Sequence, residues 1–154
     1  MDPYDSTATR AVWNRVMQQD RASEALSLEE SLREMIAGEH TDHVTYLAAA
    51  RCAGRHAATL RQIALQEDCH GRCLQALYYL LTGECYAPEV APKCEGSLCE
   101  TLRARFAVEL EGAKRYRAAA ERWPEHRRLF QELAAQEENH GRILQGITCR
   151  MLKI

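Results

Sequence analysis

Six ionisable residues of this chain form two copies of one pattern, offset by 70 residues. In each copy a glutamate is followed 28 residues later by an E-x-x-H motif. The residues are Glu39, Glu67 and His70 in the first copy and Glu109, Glu137 and His140 in the second. Four carboxylates and two imidazoles are the ligand set with which a four-helix bundle holds two metal ions in its core. The spacing therefore predicts a site for two metal ions.

The duplication extends well beyond these six residues. Positions 39–75 align with 109–145 without a gap. The matched pairs include Tyr46 with Tyr116, Gln66 with Gln136, Gly71 with Gly141, Leu74 with Leu144, and the alanines at 48–50 with those at 118–120. One E-x-x-H triplet is a weak signal in a chain rich in glutamate. Two triplets, each with a matched upstream glutamate, are a strong one.

The elements that must position these residues are predicted to be helices. Ser27 and Ser97 each begin a capping box that starts a long helix. Gly54 and Gly83 bound a second helix, and Pro124 suits the first turn of a fourth. The predicted helices cover about 28–52, 55–81, 98–123 and 124–151, preceded by a short helix over about 6–19.

Helix lengths predict where the six residues meet. Glu39 lies 15 residues before Gly54, and Glu67 lies 13 residues after it. At about 1.5 Å per residue, an antiparallel hairpin places both at nearly the same height. The second hairpin repeats this arrangement around Pro124. The sequence thus predicts an extension over 1–26 and one all-α bundle over 27–154, with repeats at about 28–82 and 98–152 joined by a crossover at 83–97.

Within this bundle the metal chemistry follows from helical spacing. Residues three apart share one helix face, so the glutamate and histidine of each E-x-x-H motif can reach the same ion. We expect Glu67 and Glu137 to bridge the ions, with Glu39 and Glu109 as terminal ligands. Which terminal glutamate accompanies which histidine stays open. The alternative is a metal-free symmetric bundle, but buried unpaired carboxylates are costly to retain without cations.

Two tyrosines, three histidines and a cysteine near the pattern are further residues to place. Tyr46 and Tyr116 lie two turns after a predicted ligand, and they either donate hydrogen bonds to carboxylates near the metals or serve as core tyrosines. His43 is expected on the helix surface. His56 and His126 follow the turns between helices and are expected to cap or pack there, and Cys73 is expected in the core.

Composition excludes several classes of protein. A net charge of −2 gives no reason to expect a nucleic-acid or membrane partner, and no apolar run approaches the length of a membrane span. No signal peptide heads the sequence, which favours the cytoplasm. The seven cysteines form no paired C-x-x-C motifs and are expected to be reduced thiols.

At these residues the chain resembles the rubrerythrin branch of the ferritin-like superfamily over about 28–150. The motifs are E-x6-Y at 39 and 109 and E-x-x-H at 67 and 137. The resemblance implies a ferritin-like antiparallel four-helix bundle with a non-haem di-iron centre that reduces hydrogen peroxide to water. It also implies a homodimer or higher homo-oligomer, and manganese is a possible replacement for iron.

Two departures from the family bear on this expectation. Rubrerythrins proper carry a four-cysteine rubredoxin site, which this chain lacks, so electrons would come from a separate donor such as a rubredoxin. Many also have a further glutamate three residues after the third-helix ligand, where this chain has Gly112. Two other activities fit the same ligands: oxidation and storage of iron, with oxygen as the oxidant, and a di-manganese centre that disproportionates peroxide. A non-enzymatic bundle is the remaining alternative.

Overall fold

The computed structural model describes residues 26–152, and all regular secondary structure in that range is helical. The helices are α1 (Leu28–Ala50), α2 (Ala57–Thr82), α3 (Leu98–Arg122) and α4 (Arg127–Leu152). Short 3₁₀ turns at Gly54–His56 and Pro124–His126 join the two helices of each hairpin. The predicted all-α architecture of two helical hairpins is confirmed. The helix predicted over 6–19 lies outside the described residues.

Both predicted capping boxes are present at the helix starts. The hydroxyl of Ser27 accepts from the Glu30 amide at 3.1 Å, and the Glu30 carboxylate accepts from the Ser27 amide at 2.8 Å. Ser97 and Glu100 make the same pair of bonds at 3.3 and 2.7 Å. These bonds satisfy amide donors that would otherwise lack partners in the first helical turn.

The turns between helices differ from the prediction by a few residues. α1 ends at Ala50 rather than near residue 52, and α2 begins at Ala57, after the 3₁₀ turn that starts at Gly54. Pro124 begins the second 3₁₀ turn, so it precedes α4 instead of lying in its first turn. Gly54 has a φ of 51°, a left-handed conformation that glycine adopts without a steric cost.

Two apolar clusters fill opposite ends of the bundle. One contains the beginning of α1, the end of α2, the end of α3 and the beginning of α4. The other contains the end of α1, the beginning of α2, the beginning of α3 and the end of α4. The helices therefore run up, down, down and up, and the segment 83–97 carries the chain back along the bundle between α2 and α3.

The crossover segment is anchored to the first hairpin along its path. The amide of Gln75 on α2 donates to the Tyr86 carbonyl at 2.9 Å, and the Lys93 amide donates to the Thr45 hydroxyl on α1 at 2.9 Å. Helix backbones approach each other most closely within the two hairpins. Both apolar clusters also join the two hairpins, because each contains residues from all four helices.

One core prediction is wrong. The thiol of Cys73 is exposed, although its counterpart Ile143 in the second repeat is half-buried. The buried face of α2 is made instead by His70, Leu74 and Tyr78, spaced four residues apart, and Cys73 lies beyond the edge of that stripe. All seven cysteines of the chain fall within residues 26–152 and are free thiols.

No helix within residues 26–152 is long and apolar enough to cross a bilayer.

Candidate metal centre

The six residues of the duplicated pattern converge between the two apolar clusters. α1 contributes Glu39, α3 contributes Glu109, and α2 and α4 each contribute a glutamate and a histidine. All six side chains are buried, and none is more than 3% exposed: Glu39, Glu67, His70, Glu109, Glu137 and His140. Full burial of so many ionisable groups is rare unless they are paired or bind a cation.

A glycine follows each histidine and faces the neighbouring helix of its hairpin. A Cβ placed at Gly71 on α2 would lie 3.4 Å from the Cβ of Glu39 on α1. A Cβ at Gly141 on α4 would lie 3.8 Å from the Cβ of Glu109 on α3. The carboxylates of α1 and α3 therefore lie directly beside the E-x-x-H motifs of the neighbouring helices.

One set of ligand atoms surrounds the imidazole of His70. Its Nδ1 atom lies 3.2 Å from Glu39 Oε2, and 3.1 Å from carboxylate oxygens of Glu67 and of Glu137. The candidate ligand atoms of these four residues all lie within 4.8 Å of one another. This set contains residues from α1, α2 and α4.

A second set surrounds the imidazole of His140. Its Nδ1 atom lies 2.9 Å from Glu67 Oε1 and 3.4 Å from Glu109 Oε2. With Glu137, these groups also offer ligand atoms within 4.8 Å of one another. The rings of His70 and His140 stack with centroids 5.6 Å apart.

The two sets share Glu67 and Glu137, the second glutamates of the two repeats. Glu39 accompanies His70, and Glu109 accompanies His140, so each terminal glutamate lies with the histidine of its own hairpin. The sequence left this pairing open. A carboxylate offers two oxygens, so one shared between two sets can contact a cation in each.

Two glutamines orient the imidazoles, and sequence reasoning missed their role. The Nε2 atom of His70 lies 2.9 Å from Gln136 Oε1, and that of His140 lies 3.0 Å from Gln66 Oε1. A hydrogen bond donated from Nε2 leaves Nδ1 directed at the carboxylates. The signal in the sequence was the identical Q-E pair that precedes each histidine.

Both tyrosines of the repeat donate to site carboxylates across the hairpins. The Tyr46 hydroxyl donates to Glu109 Oε1, and the Tyr116 hydroxyl donates to Glu39 Oε1. Each tyrosine is fully buried and contacts the terminal glutamate of the opposite hairpin. These bonds hold Oε1 of each terminal glutamate, while Oε2 faces the nearby histidine.

The centre contains four buried carboxyl groups but only two histidines that can carry a positive charge. Burial raises the pKa of Glu137 to about 11, despite the opposing effect of His70. Burial likewise raises the pKa of Glu67 to about 7. Burial alone would lower the pKa of His140, but the carboxylates of Glu109 and Glu67 raise it to about 9. Burial thus favours the protonated forms of Glu67 and Glu137, and the neighbouring carboxylates favour the protonated form of His140.

A buried ion pair lies beside the centre on one side only. Arg105 on α3 bonds to Asp42 on α1, and their side chains are 7% and 12% exposed. Burial raises the pKa of Asp42 to about 8, although Arg105 opposes this. The corresponding positions of the other repeat hold Gly112 and Met35. Sequence reasoning missed this pair, whose signal was that the residues 70 positions away, Gly112 and Met35, cannot form it.

A cavity of about 150 Å³ reaches the centre from the side of Gly112. Its wall includes the site carboxylates Glu39 and Glu137 and the exposed residues Glu111 and Arg115. A Cβ at Gly112 would lie 3.1 Å from Glu137 Oε2, so any other residue there would crowd this carboxylate. The cavity has room for a few water-sized molecules.

The remaining predicted histidines lie apart from these ligand sets. The Nδ1–H of His43 donates to the Ala64 carbonyl at 2.7 Å, and the ring is half-buried rather than fully on the surface. His56 is buried in the first 3₁₀ turn, and His126 is half-buried in the second. Packing at the turns was one of the two roles expected for them.

Several buried polar atoms of the centre lie close to one another but make no well-aligned hydrogen bond, an arrangement that fits groups able to surround a cation. They are both carboxylate oxygens of Glu67, one each of Glu109 and Glu137, and Nδ1 of His140. Ligand atoms about 2.1 Å from one ion and at right angles to each other lie about 3.0 Å apart, close to the N···O distances of both sets. Two divalent cations would also balance the four carboxylates. These buried groups could hold a metal ion.

The sequence matches no protein-family model, and no curated protein matches it at a significant level.

Proposed function

We propose that this protein is a non-haem di-iron oxidoreductase that reduces hydrogen peroxide with electrons from a separate donor, as rubrerythrins do. The observation that carries the proposal is the pair of overlapping ligand sets that share Glu67 and Glu137. Two ions held side by side by shared carboxylates suit a reaction in which one substrate takes up two electrons. The up-down-down-up helix order with a long crossover supports a ferritin-like bundle.

In this proposal each ligand set would hold one ion. Glu39 and His70 would bind one ion, Glu109 and His140 would bind the other, and Glu67 and Glu137 belong to both ligand sets. When bound, a pair of redox-active ions would supply the two electrons that reduction of peroxide requires. Carboxylate-rich sites accept both iron and manganese, so ligand chemistry alone does not select between the two metals.

The protein's own groups position the ligands and limit the solvent. Gln136 and Gln66 keep the two Nδ1 atoms directed at the ions, and Tyr46 and Tyr116 hold the terminal carboxylates in place. Apolar clusters above and below keep bulk water away from the reacting atoms. Peroxide reaches the centre through the small cavity at Gly112.

Metal analysis of anaerobically purified protein is the first test, followed by stopped-flow mixing with peroxide and, separately, with oxygen. About two irons per chain and faster oxidation by peroxide than by oxygen would support the proposal. Rapid oxidation by oxygen with continued uptake of Fe(II) would favour iron handling instead. Evolution of oxygen from peroxide by a manganese-loaded protein, without a reductant, would favour the catalase-like activity. Absence of bound metal after reconstitution would refute the metal centre.

A further inference from the structure

A row of aromatic side chains connects the centre to the surface at one end of the second hairpin. The Tyr116 ring, whose hydroxyl bonds to Glu39, stacks on Phe130 with centroids 6.3 Å apart and an interplanar angle of 18°. Phe130 in turn meets Trp123 at 6.1 Å. Tyr116 and Phe130 are fully buried, whereas Trp123 is partly exposed at the C-terminal end of α3.

The first hairpin lacks this row, although it has the matching tyrosine. The duplication pairs Tyr116 with Tyr46, but it pairs Phe130 with Leu60 and Trp123 with Ala53. Leu60 and Ala53 are buried and pack in the other apolar cluster. Aromatic pairs at these distances are common in cores, but the first hairpin fills the same positions with aliphatic residues. Packing alone therefore does not require the aromatic row.

We propose that Trp123, Phe130 and Tyr116 form a path along which single electrons travel between the protein surface and the metal centre. Tryptophan and tyrosine are the side chains that lose one electron most readily, and each must release a proton when it does so. Glu39 Oε1 accepts the hydrogen bond of the Tyr116 hydroxyl, so the phenolic proton has an acceptor already in place. The Phe130 ring fills the space between the two redox-active rings.

The path rests on the proposed peroxidase function, because reduction of hydrogen peroxide to two waters takes two electrons and two protons. In each transfer Tyr116 supplies one electron to the centre, and its proton moves to Glu39. Trp123 then supplies one electron to Tyr116, which recovers its proton from Glu39. The Trp123 indole releases its proton to solvent when it supplies the electron. A thiol in solution then returns one electron and one proton to Trp123 and becomes a thiyl radical, and two such radicals combine into a disulfide. The two protons released to solvent equal the two protons that peroxide takes up.

Flash photolysis can test this path without any turnover of the centre. The full chain would carry Trp13→Phe, so that Trp123 is its only tryptophan. A photo-oxidised ruthenium complex in solution removes one electron from Trp123, and transient absorption follows the decay of the tryptophan radical. The measurement is made on protein without added metal and again after addition of redox-inert Zn²⁺, with thermal melts to show that each variant is folded.

The path predicts which substitutions lengthen the life of that radical. Tyr116→Phe removes the electron donor, and Phe130→Leu introduces the residue found in the first hairpin. Both should lengthen the lifetime of the Trp123 radical several-fold, whereas the control Tyr46→Phe should not change it. A lifetime that is the same in Tyr116→Phe and in the parent would overturn the path. The result does not depend on iron or peroxide, so failure of the path and failure of the peroxidase function are separate outcomes.

Discussion

Replacement of Glu67 by glutamine should have opposite effects on stability with and without metal. Glu67 belongs to both ligand sets and is fully buried. In the metal-free protein its carboxyl group is costly to ionise, which is why its pKa is raised from 4.5 to about 7. Glutamine keeps the shape of the side chain and cannot ionise. The same substitution removes a ligand that both sets share, so it should lower the affinity for both metal ions rather than for one.

The size of the metal-free effect follows from that pKa. A raised pKa means that the folded state holds the proton more tightly than the unfolded chain, so wild-type stability falls as pH rises from about 4.5 through about 7. The rise from 4.5 to about 7 corresponds to about 3–4 kcal/mol, at about 1.4 kcal/mol per pKa unit. Burial of the glutamine amide also costs free energy and offsets part of this difference. At pH 8 we therefore expect the free energy of unfolding of metal-free Glu67→Gln to exceed that of the parent by about 1–3 kcal/mol.

Thermal melts at pH 4.5 and pH 8, with and without metal, would check this expectation. Metal-free Glu67→Gln should melt several degrees above the metal-free parent at pH 8 and close to it at pH 4.5. With iron or zinc added, the parent should be the more stable protein. Glu39→Gln should retain about one ion per chain, since Glu39 belongs to one ligand set only. The exposed Glu121→Gln serves as the matched control.

The reasoning would be refuted if metal-free Glu67→Gln were less stable than the parent at pH 8. That result would mean that the Glu67 carboxylate stabilises the core through its hydrogen bonds even when no cation is bound.

Three further predictions follow from the contacts around the centre. Tyr116→Phe and Gln136→Leu each remove one hydrogen bond to a ligand, so each should lower metal affinity about 10–100-fold in chelator competition, with little change in the secondary structure seen by circular dichroism. Arg105→Met, which introduces the residue of the first repeat, leaves the buried Asp42 carboxyl group without its partner and should destabilise the protein by about 1–3 kcal/mol in urea unfolding. The double variant with Asp42→Asn should recover much of that loss, and equal destabilisation of both variants would contradict the argument. Metal binding should release protons, because the centre holds them at neutral pH and His140 has its pKa raised to about 9. Affinity should therefore rise between pH 6 and pH 9, and calorimetry in buffers of different ionisation enthalpy should detect the released protons.

The sequence by itself determined which residues meet and at what height in the bundle. Helical periodicity, the two capping boxes and equal hairpin arms are local properties, and the duplication displayed each of them twice. The same local signals predicted the first residues of α1 and α3 correctly. They predicted the end of α1 and the position of Pro124 less accurately, because short 3₁₀ turns are common at helix ends and are hard to distinguish from the α-helix by sequence.

Only the tertiary structure decided which groups touch across the two hairpins. Tyr46 bonds to Glu109 and Tyr116 to Glu39, over separations of 63 and 77 residues. The glutamine contacts to the histidines and the ion pair of Asp42 with Arg105 also join different hairpins. The repeat provides each hairpin with the same glutamates, histidine, glutamine and tyrosine, but their partners depend on how the hairpins are rotated and packed against each other. Helical spacing carries no information about that packing, because it describes one helix at a time.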